Sequence, residues 1–304
     1  MTVAIPQAFR NRVAAYPPDH VDPDAGYAVD GSSWLRRLPG LLDDLLEEWD
    51  LVPDGEVRCG WAAVAVPTRA DSGPAVLKVS WPHAEAQTEH LALRRWAGNG
   101  AVRLLRADPR RFALLLERLH PTTDLRSLPV EDACGVIGDL LAQLRAPALP
   151  QTANLSAQAA RRLAEPPPID VLPRRYVQQA RALTADLTAA DGGPEWLLHT
   201  DLHYENVLRG DRQPWLVIDP KPAAGDRAFE VAPALWNRVD ELGTGSEVRW
   251  NLRRRLQIIC EHGGIDEARA KAWTIVREVD NATDPSQEPN RASLAVTIIK
   301  AMND

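Results

Sequence analysis

The sequence predicts an α+β fold in two lobes, a small antiparallel-sheet lobe followed by a mainly helical lobe. Short apolar stretches separated by turn residues dominate up to about Leu119, and apolar residues at helical spacing dominate after it. The chain has 304 residues, of which 45% are hydrophobic and 25% charged, and this composition is typical of globular proteins of one or two domains. We therefore predict an N-terminal domain over 1–118 and a C-terminal domain over 119–304.

The predicted first lobe begins with a helix and a pair of strands. The first two dozen residues are rich in Pro and Asp, and we expect an irregular arm there. Leucines at helical spacing predict a helix over about Ser33 to Asp50, with Ser32 or Ser33 as its N-cap. The stretches 56–68 and 73–80 are rich in small and β-branched residues and flank the turn sequence RADSG, which predicts an antiparallel pair.

One more helix and two more strands complete this lobe. The stretch 84–98 places its apolar residues on one side of a helix that Gly98 can end. Two strand candidates, 101–108 and 112–119, are separated by the turn sequence Asp108-Pro109. The order of strands, helix and strands describes a sheet lobe that holds a single helix.

The rest of the chain is predicted to be mainly helical. Helical patterns cover 130–146, 156–165 and 173–190, with breaks at Pro166 to Pro168 and at 191–194. Strand character returns only at 195–201 and 214–220, and we expect these two strands to form a tight hairpin.

Charge and cysteine usage exclude several classes of function. A formal net charge of −7 argues against nucleic acid as a partner, because phosphate binding needs clustered Lys and Arg. The basic cluster Arg249, Arg253, Arg254 and Arg255 is interpreted as a solvated helix face, with a binding patch as the alternative. Three widely spaced cysteines predict neither a disulfide framework nor a zinc site, and they suit a reducing compartment.

No segment of the sequence indicates a membrane or secretion. The N-terminus lacks an uninterrupted apolar core with a small-residue cleavage signal, and no apolar run is long enough to span a bilayer. We therefore expect a cytoplasmic protein with no membrane partner. The sequence specifies no oligomeric state.

Polar and ionisable side chains crowd the stretch LLHTDLHYENVLRGDRQPWLVIDP, Leu197 to Pro220. Asp201 and Asn206 form a D-x4-N pair, and Asp219 ends the second apolar strand. In phosphoryl transfer one carboxylate accepts or orients the proton of the attacking hydroxyl, while an amide oxygen and a second carboxylate hold magnesium. The sequence thus offers the three groups that this chemistry needs. The alternative, in which they only cap turns, stays open.

Three neighbouring residues have candidate supporting roles. His199 can hydrogen-bond backbone and hold the shape of the loop. His203 either touches substrate or phosphate or packs within the loop. Lys221, directly after Asp219-Pro220, either steers phosphates or is solvated.

The motifs HTDLHYEN, VIDP and GDRAFEVA resemble the aminoglycoside phosphotransferase family of kinase-like enzymes, in particular its streptomycin 6-kinase and hydroxyurea phosphotransferase branch. The resemblance covers the chain from about Gly60 onward and implies a two-lobed protein-kinase-like fold. It further implies a kinase that transfers the γ-phosphoryl group of MgATP to a hydroxyl of a streptomycin-like, cationic aminoglycoside, with a role in antibiotic resistance.

Two alternatives stay open beside this function. The acceptor can instead be hydroxyurea, an amino sugar or another metabolite alcohol. In a different class, the chain can be a non-catalytic nucleotide-binding protein with a regulatory role.

The resemblance assigns roles to individual residues. Asp201 is the expected catalytic base, and Asn206 and Asp219 are the expected magnesium ligands. Lys78, in the strand AVLKVS, is expected to pair with the α- and β-phosphates and with a glutamate of the next helix, Glu89, with Glu85 as the alternative.

Other positions have roles that the resemblance defines less sharply. Glu117 to Leu119 corresponds to the linker whose backbone binds adenine. Gly225 is expected to supply backbone freedom and Asp226 to cap or brace the next helix. Glu230 faces either substrate or a structural partner, and Trp236 is a candidate for stacking on a sugar, with a core role as the alternative.

The sequence departs from the family pattern at two points. It has no G-x-G-x-x-G motif over the phosphates, since Gly60 stands alone in RCGWAAVAV. Thr200 replaces the glycine usual between the histidine and the aspartate, and its side chain is expected to constrain the catalytic loop.

Overall fold

The computed structural model describes residues 3–19, 29–164, 171–189, 195–284 and 291–303. The chain divides into two compact units, Met1–His120 and Pro121–Asp304. The helix breaks predicted at 166–168 and 191–194 lie outside the described residues.

The N-terminal unit is built on a six-stranded antiparallel sheet with the order β1-β3-β4-β6-β5, in which β2 pairs with β3. Its elements are α1 (Gln7–Val13), α2 (Gly31–Glu48), β1 (Val52–Pro53), β2 (Arg58–Cys59), β3 (Ala63–Ala70), β4 (Gly73–Ser80), α3 (Ala84–Gln87), α4 (Glu89–Trp96), β5 (Leu104–Asp108) and β6 (Ala113–Glu117). The two antiparallel strand pairs that the sequence predicts, β3 with β4 and β5 with β6, are confirmed.

Two helix starts differ from the prediction. Helix α1 lies in the stretch where an irregular arm was expected, and it buries Phe9 and Val13. Helix α2 begins at Gly31 because Asp30, not a serine, is its N-cap: the Asp30 carboxylate accepts a 2.8 Å hydrogen bond from the Ser33 backbone N–H.

The helix predicted over 84–98 is two helices in the structure. Thr88 separates α3 from α4, and its φ of −110° lies outside the helical range. Helix α4 ends in a left-handed residue, but this residue is Ala97, with a φ of 50°, and not Gly98.

Alternation along β3 and β4 divides the sheet into two faces. On one face Val64, Val66, Leu77 and Val79 are buried in a core that they share with α1 and α2. Because successive side chains of a strand point to opposite faces, Lys78 points away from this core. The sheet therefore presents one lysine on the face opposite α2.

The C-terminal unit is mainly helical and carries two three-stranded sheets, with the orders β11-β10-β7 and β8-β12-β9. Its elements are β7 (His120–Asp124), α5 (Val130–Gln143), β8 (Ala153–Asn154), α6 (Leu155–Ala164), α7 (Arg174–Ala189), β9 (Trp196–Leu198), β10 (Val207–Arg209), β11 (Trp215–Val217), β12 (Ala223–Gly225), α8 (Ala232–Leu235), α9 (Ser246–Gly263), α10 (Glu267–Thr283) and α11 (Arg291–Asn303).

The hairpin predicted between the strands at 195–201 and 214–220 is wrong. Strand β9 pairs with β12, and β11 pairs with β10, a three-residue strand that the sequence pattern did not reveal. The hairpin thus starts directly after Asn206, and β9 belongs to the other small sheet. Three residues are too few for an alternating pattern to be recognised.

The basic cluster on α9 is not one solvated face. Arg255 is buried and donates to the backbone carbonyls of Asn237 and Arg238, at 3.0 and 3.1 Å. Arg253 donates to the Ala301 carbonyl, and Arg254 pairs with Glu131. These arginines join α9 to its neighbours, so the expectation of a single solvated face is wrong.

The three cysteines are all free thiols. In the part of the chain that the structure describes, none of the helices is both long and apolar enough to cross a membrane.

The contact between α5 and α9 gives a first prediction. A Cβ atom added at Gly138 would lie 2.5 Å from the His262 Cβ and 2.8 Å from the Ile259 carbonyl oxygen. We expect Gly138→Ala to lower the free energy of unfolding by about 1–3 kcal/mol, because overpacking forces the two helices apart. Denaturant unfolding measures this change.

Gly40 in α2 is the matched control. A Cβ atom there would meet no atom within 4 Å. Gly40→Ala should therefore raise the unfolding free energy by about 0.5–1 kcal/mol, through helix propensity alone. Equal effects of the two substitutions would contradict the close contact at Gly138.

Candidate active site

Four of the residues singled out in the sequence lie in the loop between β9 and β10: His199, Asp201, His203 and Asn206. Asp201 is on this loop, and a short 3-10 helix, Tyr204–Asn206, comes next, capped by the His203 side chain, whose Nδ1 accepts from the Glu205 backbone N–H at 3.3 Å. Asn206 donates from Nδ2 to the Asp201 carbonyl at 2.9 Å. The loop therefore closes on itself around Asp201.

His199 is fully buried and fastens the loop to the strand beside it. Its Nε2 donates to the Ile218 carbonyl at 2.9 Å, and its Nδ1 accepts from the Asp201 backbone N–H at 3.3 Å. Both bonds are satisfied by the neutral Nε2–H tautomer, and burial lowers the pKa of His199 to about 4. The side chain is thus a neutral bridge between the loop and Ile218, the residue that follows β11.

Thr200 has a left-handed backbone, with a φ of 61°. A left-handed conformation costs a non-glycine residue roughly 1–2 kcal/mol, and a β-branched residue adopts it only where the surroundings demand it. Its hydroxyl donates to the Lys221 carbonyl at 2.7 Å, and its N–H donates to Glu230 at 2.8 Å. The side chain that replaces glycine therefore adds a contact that glycine cannot make.

Glu230 is buried beneath the loop and holds two consecutive amides. Its Oε1 and Oε2 accept from the backbone N–H groups of His199 and Thr200, at 2.6 and 2.8 Å. Burial raises the pKa of Glu230 to about 7, and the two N–H donors oppose part of that rise. Both carboxylate oxygens of Glu230 are thus occupied by backbone donors of the loop.

The segment before Glu230 supports it. Asp226 caps the 3-10 helix Arg227–Val231 by accepting from the Ala228 N–H at 2.9 Å, and it pairs with Arg269 of α10 at 2.6 Å. Gly225 has no positive φ, so the expected need for backbone freedom is wrong. It is small for another reason: a Cβ atom there would lie 2.6 Å from the Leu155 Cδ1.

Asn206 and Asp219 are connected through Ile218. The Ile218 N–H donates to the Asn206 carbonyl at 2.9 Å, and its own carbonyl accepts from His199. Asp219 comes next, with a left-handed φ of 56° that turns the chain out of β11. The structure thus brings His199, Asp201, Asn206 and the residue before Asp219 into one bonded group.

The oxygen donors of this group fit magnesium. Asn206 uses its amide nitrogen for Asp201, and its Oδ1 accepts no hydrogen bond from the described residues. Magnesium in nucleotide enzymes takes one or two protein carboxylates together with phosphate oxygens and water. In the described ranges, no group of three or more His, Cys, Asp or Glu residues comes together as a metal cluster.

Lys221 lies beside the candidate base Asp201. Its Nζ is 3.3 Å from the Asp201 Oδ2. The side chains are 41% and 23% exposed, so water screens this pair in part. A lysine is therefore the cationic partner of the candidate base.

In the N-terminal unit, Lys78 and Glu89 form a buried ion pair. The Lys78 Nζ lies 2.6 and 2.8 Å from the two carboxylate oxygens of Glu89, the first residue of α4. Their side chains are only 12% and 3% exposed. Of the two glutamates considered for Lys78, Glu89 makes this contact, and Glu85 lies on the separate helix α3.

The remaining candidates lie at element ends. Glu117 ends β6, and its carboxylate accepts from the Arg103 N–H at 2.7 Å, while Leu119 is buried. Trp236 directly follows α8, with the guanidinium groups of Arg277 and Arg291 4.8 and 5.4 Å from its ring centroid. The ring is half-buried and contacts two protein cations, and its role as a sugar-stacking residue or a core residue stays a prediction.

Sequence reasoning missed Arg277, which lies in α10, 77 positions after Thr200. Its Nη2 donates to the Thr200 carbonyl at 2.9 Å. The amphipathic pattern of α10 does not distinguish this arginine from others on the same helix, so no signal in the sequence could have found it.

Comparison with known proteins identifies the relatives of this chain. Residues 48–287 match the family described as aminoglycoside/hydroxyurea antibiotic resistance kinase. The chain is 37% identical over 286 residues to a streptomycin 6-kinase of Streptomyces glaucescens, covering 91% of this chain and 92% of that protein. It is 40% identical over 266 residues to a hydroxyurea phosphotransferase of Kitasatospora aureofaciens, covering 83% and 74%. The predicted family resemblance is confirmed, and so is the prediction of a phosphotransferase.

Solved structures share the fold. A thermostable mutant of aminoglycoside phosphotransferase APH(4)-Ia, in complex with ADP and hygromycin B, aligns with a TM-score of 0.56 at 17% identity, covering 85% of this chain and 97% of that chain. A choline/ethanolamine kinase family protein from Mesorhizobium loti aligns with a TM-score of 0.54 at 14% identity, covering 86% and 94%. The likeness concerns the fold alone, and it confirms the predicted two-lobed kinase-like α+β class.

The burial of His199 gives a prediction on pH. The pKa of His199 is about 4 in the folded chain and 6.5 when unperturbed. Between pH 4 and pH 6.5 the unfolded state therefore binds a proton at His199 that the folded state does not bind. Stability that His199 contributes is therefore complete above pH 6.5 and is lost as pH falls to 4, at most about 1.4 kcal/mol per pH unit. Urea unfolding of the parent and His199→Gln from pH 4 to 8 measures it.

The difference between the two proteins isolates His199 from the other titrating groups. We expect the stability advantage of the parent to shrink as pH falls from 6.5 to 4. Parallel stability curves for the two proteins would show that His199 is not held neutral.

Proposed function

We propose that this chain, which belongs to the aminoglycoside/hydroxyurea antibiotic resistance kinase family, transfers the γ-phosphoryl group of MgATP to a hydroxyl of a streptomycin-like aminoglycoside. The observation that carries the proposal is the bonded loop around Asp201, in which Asn206 donates to the Asp201 carbonyl and Ile218, the residue before Asp219, donates to the Asn206 carbonyl. Relatives named streptomycin 6-kinase in two Streptomyces species support the choice of acceptor.

Asp201 has the role of base in this proposal. Its carboxylate would accept a hydrogen bond from the acceptor hydroxyl and orient the oxygen for in-line attack on the γ-phosphorus. Asn206 Oδ1 and the Asp219 carboxylate would hold magnesium, which offsets phosphate charge in this chemistry. Catalysis then comes mainly from positioning, so a rigid loop matters more than a strong base.

The N-terminal unit has the nucleotide-binding role. Lys78 is proposed to bind the α- and β-phosphates, and Glu89 to hold its ammonium group in place. The segment from Glu117 to Leu119 is proposed to offer backbone groups to adenine. Because the sequence has no G-x-G-x-x-G motif, Lys78 is the main phosphate contact that we propose for this unit.

Hydroxyurea is the second candidate acceptor, and the 40% identity to a hydroxyurea phosphotransferase favours it over other small alcohols. A net charge of −7 mildly favours a cationic acceptor instead. The non-catalytic alternative is disfavoured, because a binding-only protein has no need of Lys78, Asp201, Asn206 and Asp219 together. We propose a cytoplasmic site of action.

The test is magnesium-dependent ADP release with streptomycin, other aminoglycosides, hydroxyurea and free amino sugars. We expect release with streptomycin in the parent and a loss of at least about 100-fold in Asp201→Asn, with nucleotide affinity within severalfold. The phosphorylated product is identified by mass spectrometry. Release with hydroxyurea alone would move the proposal to the second acceptor, and full turnover in Asp201→Asn would remove Asp201 as base.

The magnesium assignment has its own test. Asp219→Ala should weaken ATP binding by about 10-fold or more in the presence of magnesium and leave binding in EDTA unchanged, because one carboxylate ligand is lost. Isothermal titration calorimetry measures both values. Asp211→Ala, in the turn of the same hairpin, is the control and should change neither. ATP affinity that is the same with and without magnesium in the parent would overturn the assignment.

A further inference from the structure

Arg277 of α10 reaches the loop that carries Asp201 from a distant part of the chain. Its Nη2 donates to the Thr200 carbonyl at 2.9 Å and its Nη1 to the Phe229 carbonyl at 3.0 Å. The guanidinium group therefore bridges the residue before the candidate base and the residue before Glu230. The Glu230 carboxylate joins the same two segments through the N–H groups of His199 and Thr200.

The two peptide units on either side of Thr200 are each held at both ends. In the first, the His199 carbonyl accepts from the Lys221 N–H at 3.0 Å and the Thr200 N–H donates to Glu230. In the second, the Thr200 carbonyl accepts from Arg277 and the Asp201 N–H donates to His199 at 3.3 Å. Arg277 thus holds one end of the peptide plane that leads directly into Asp201.

Arg277 makes the stronger of the two bonds on that second plane. A hydrogen bond from a charged donor is about twice as strong as a neutral one. The bond from Asp201 to the neutral imidazole is long, at 3.3 Å, whereas the bond from Arg277 is 2.9 Å. Of the two bonds on the peptide plane that leads into Asp201, the one from Arg277 therefore constrains the tilt of that plane more.

The guanidinium group is itself held in a fixed orientation. It lies 4.1 Å from the ring centroid of Phe229 and 4.8 Å from that of Trp236. Desolvation lowers the pKa of Arg277 to about 10, so the group stays charged at neutral pH. Two aromatic rings and two carbonyls define its position, which a lysine ammonium could not reproduce.

We propose that Arg277 is a positioning residue for phosphoryl transfer, which aims the carboxylate of Asp201 by fixing the left-handed peptide at Thr200. The proposal rests on the proposed function of Asp201 as base. It differs from a role in folding alone, because it places the effect of Arg277 on the rate of the chemical step. A misplacement of a catalytic group by about 1 Å can cost on the order of 100-fold in rate.

The test compares Arg277→Met and Arg277→Lys with the control Arg253→Met. Arg253 is also on a C-terminal-unit helix and donates to a backbone carbonyl at 2.9 Å, but that carbonyl belongs to Ala301 of α11 and not to the loop that carries Asp201. With MgATP and streptomycin we expect kcat to fall about 10- to 100-fold in Arg277→Met, with KM for ATP within about threefold. The kcat of Arg277→Lys should lie between that of Arg277→Met and that of the parent. Arg253→Met should retain the parent kcat.

Thermal melts separate positioning from folding. If Arg277→Met does not fold, Arg277→Lys decides the question: a kcat at least threefold below the parent in a variant that melts normally supports the proposal. A kcat equal to that of the parent in a folded variant, or an equal loss in Arg253→Met, overturns it.

Hydrogen exchange followed by mass spectrometry tests the same proposal without an acceptor. Backbone amides of the segment 199–206 should exchange at least about 10-fold faster in Arg277→Met than in the parent, and at the parent rate in Arg253→Met. Unchanged exchange in this segment would overturn the positioning role. If the parent phosphorylates none of the compounds tested, the proposed function fails, and the exchange result still judges what Arg277 does to the loop.

Discussion

The position of the loop before Asp201 depends on the buried carboxylate of Glu230. A buried carboxylate is unfavourable unless donors surround it, and here the donors are two consecutive backbone N–H groups of the loop before Asp201. The loop cannot move away without leaving that carboxylate unpaired. The need to satisfy one buried acid therefore ties the segment around Asp226, which carries Glu230, to the loop that carries the candidate base.

The N-terminal unit uses the same physical principle for a different group. Glu89 is almost inaccessible to water, and the Lys78 ammonium is its partner across the sheet face opposite α2. Losing one member of a buried ion pair leaves an uncompensated charge, which is far costlier than losing a surface pair. In both units a buried glutamate thus fixes the position of a group that the proposed chemistry needs, a lysine in one and a backbone loop in the other.

The sequence predicted the parts of this arrangement that depend on local pattern. Strands β3 to β6, the helical C-terminal unit and the spacing of Asp201, Asn206 and Asp219 all follow from alternation, helical periodicity and residue type. It did not predict the β10–β11 hairpin, because three residues carry no period, and it did not predict Arg277. Contacts between residues far apart in the chain leave no local trace, so one sequence cannot reveal which of several helical arginines reaches the loop.

The left-handed Thr200 has a consequence for how this loop can change over generations. Its N–H, its hydroxyl and its carbonyl each have a partner on a different segment: Glu230, Lys221 and Arg277. Residues that share partners in this way show interaction energies when they are altered together, and their single effects do not add. The effect of a substitution at any one of these four positions therefore depends on the residues at the other three. Replacement of Thr200 by glycine would relieve the strain of the left-handed backbone, but it would remove the hydrogen bond to the Lys221 carbonyl. Epistasis among the four residues thus constrains the order in which substitutions can accumulate.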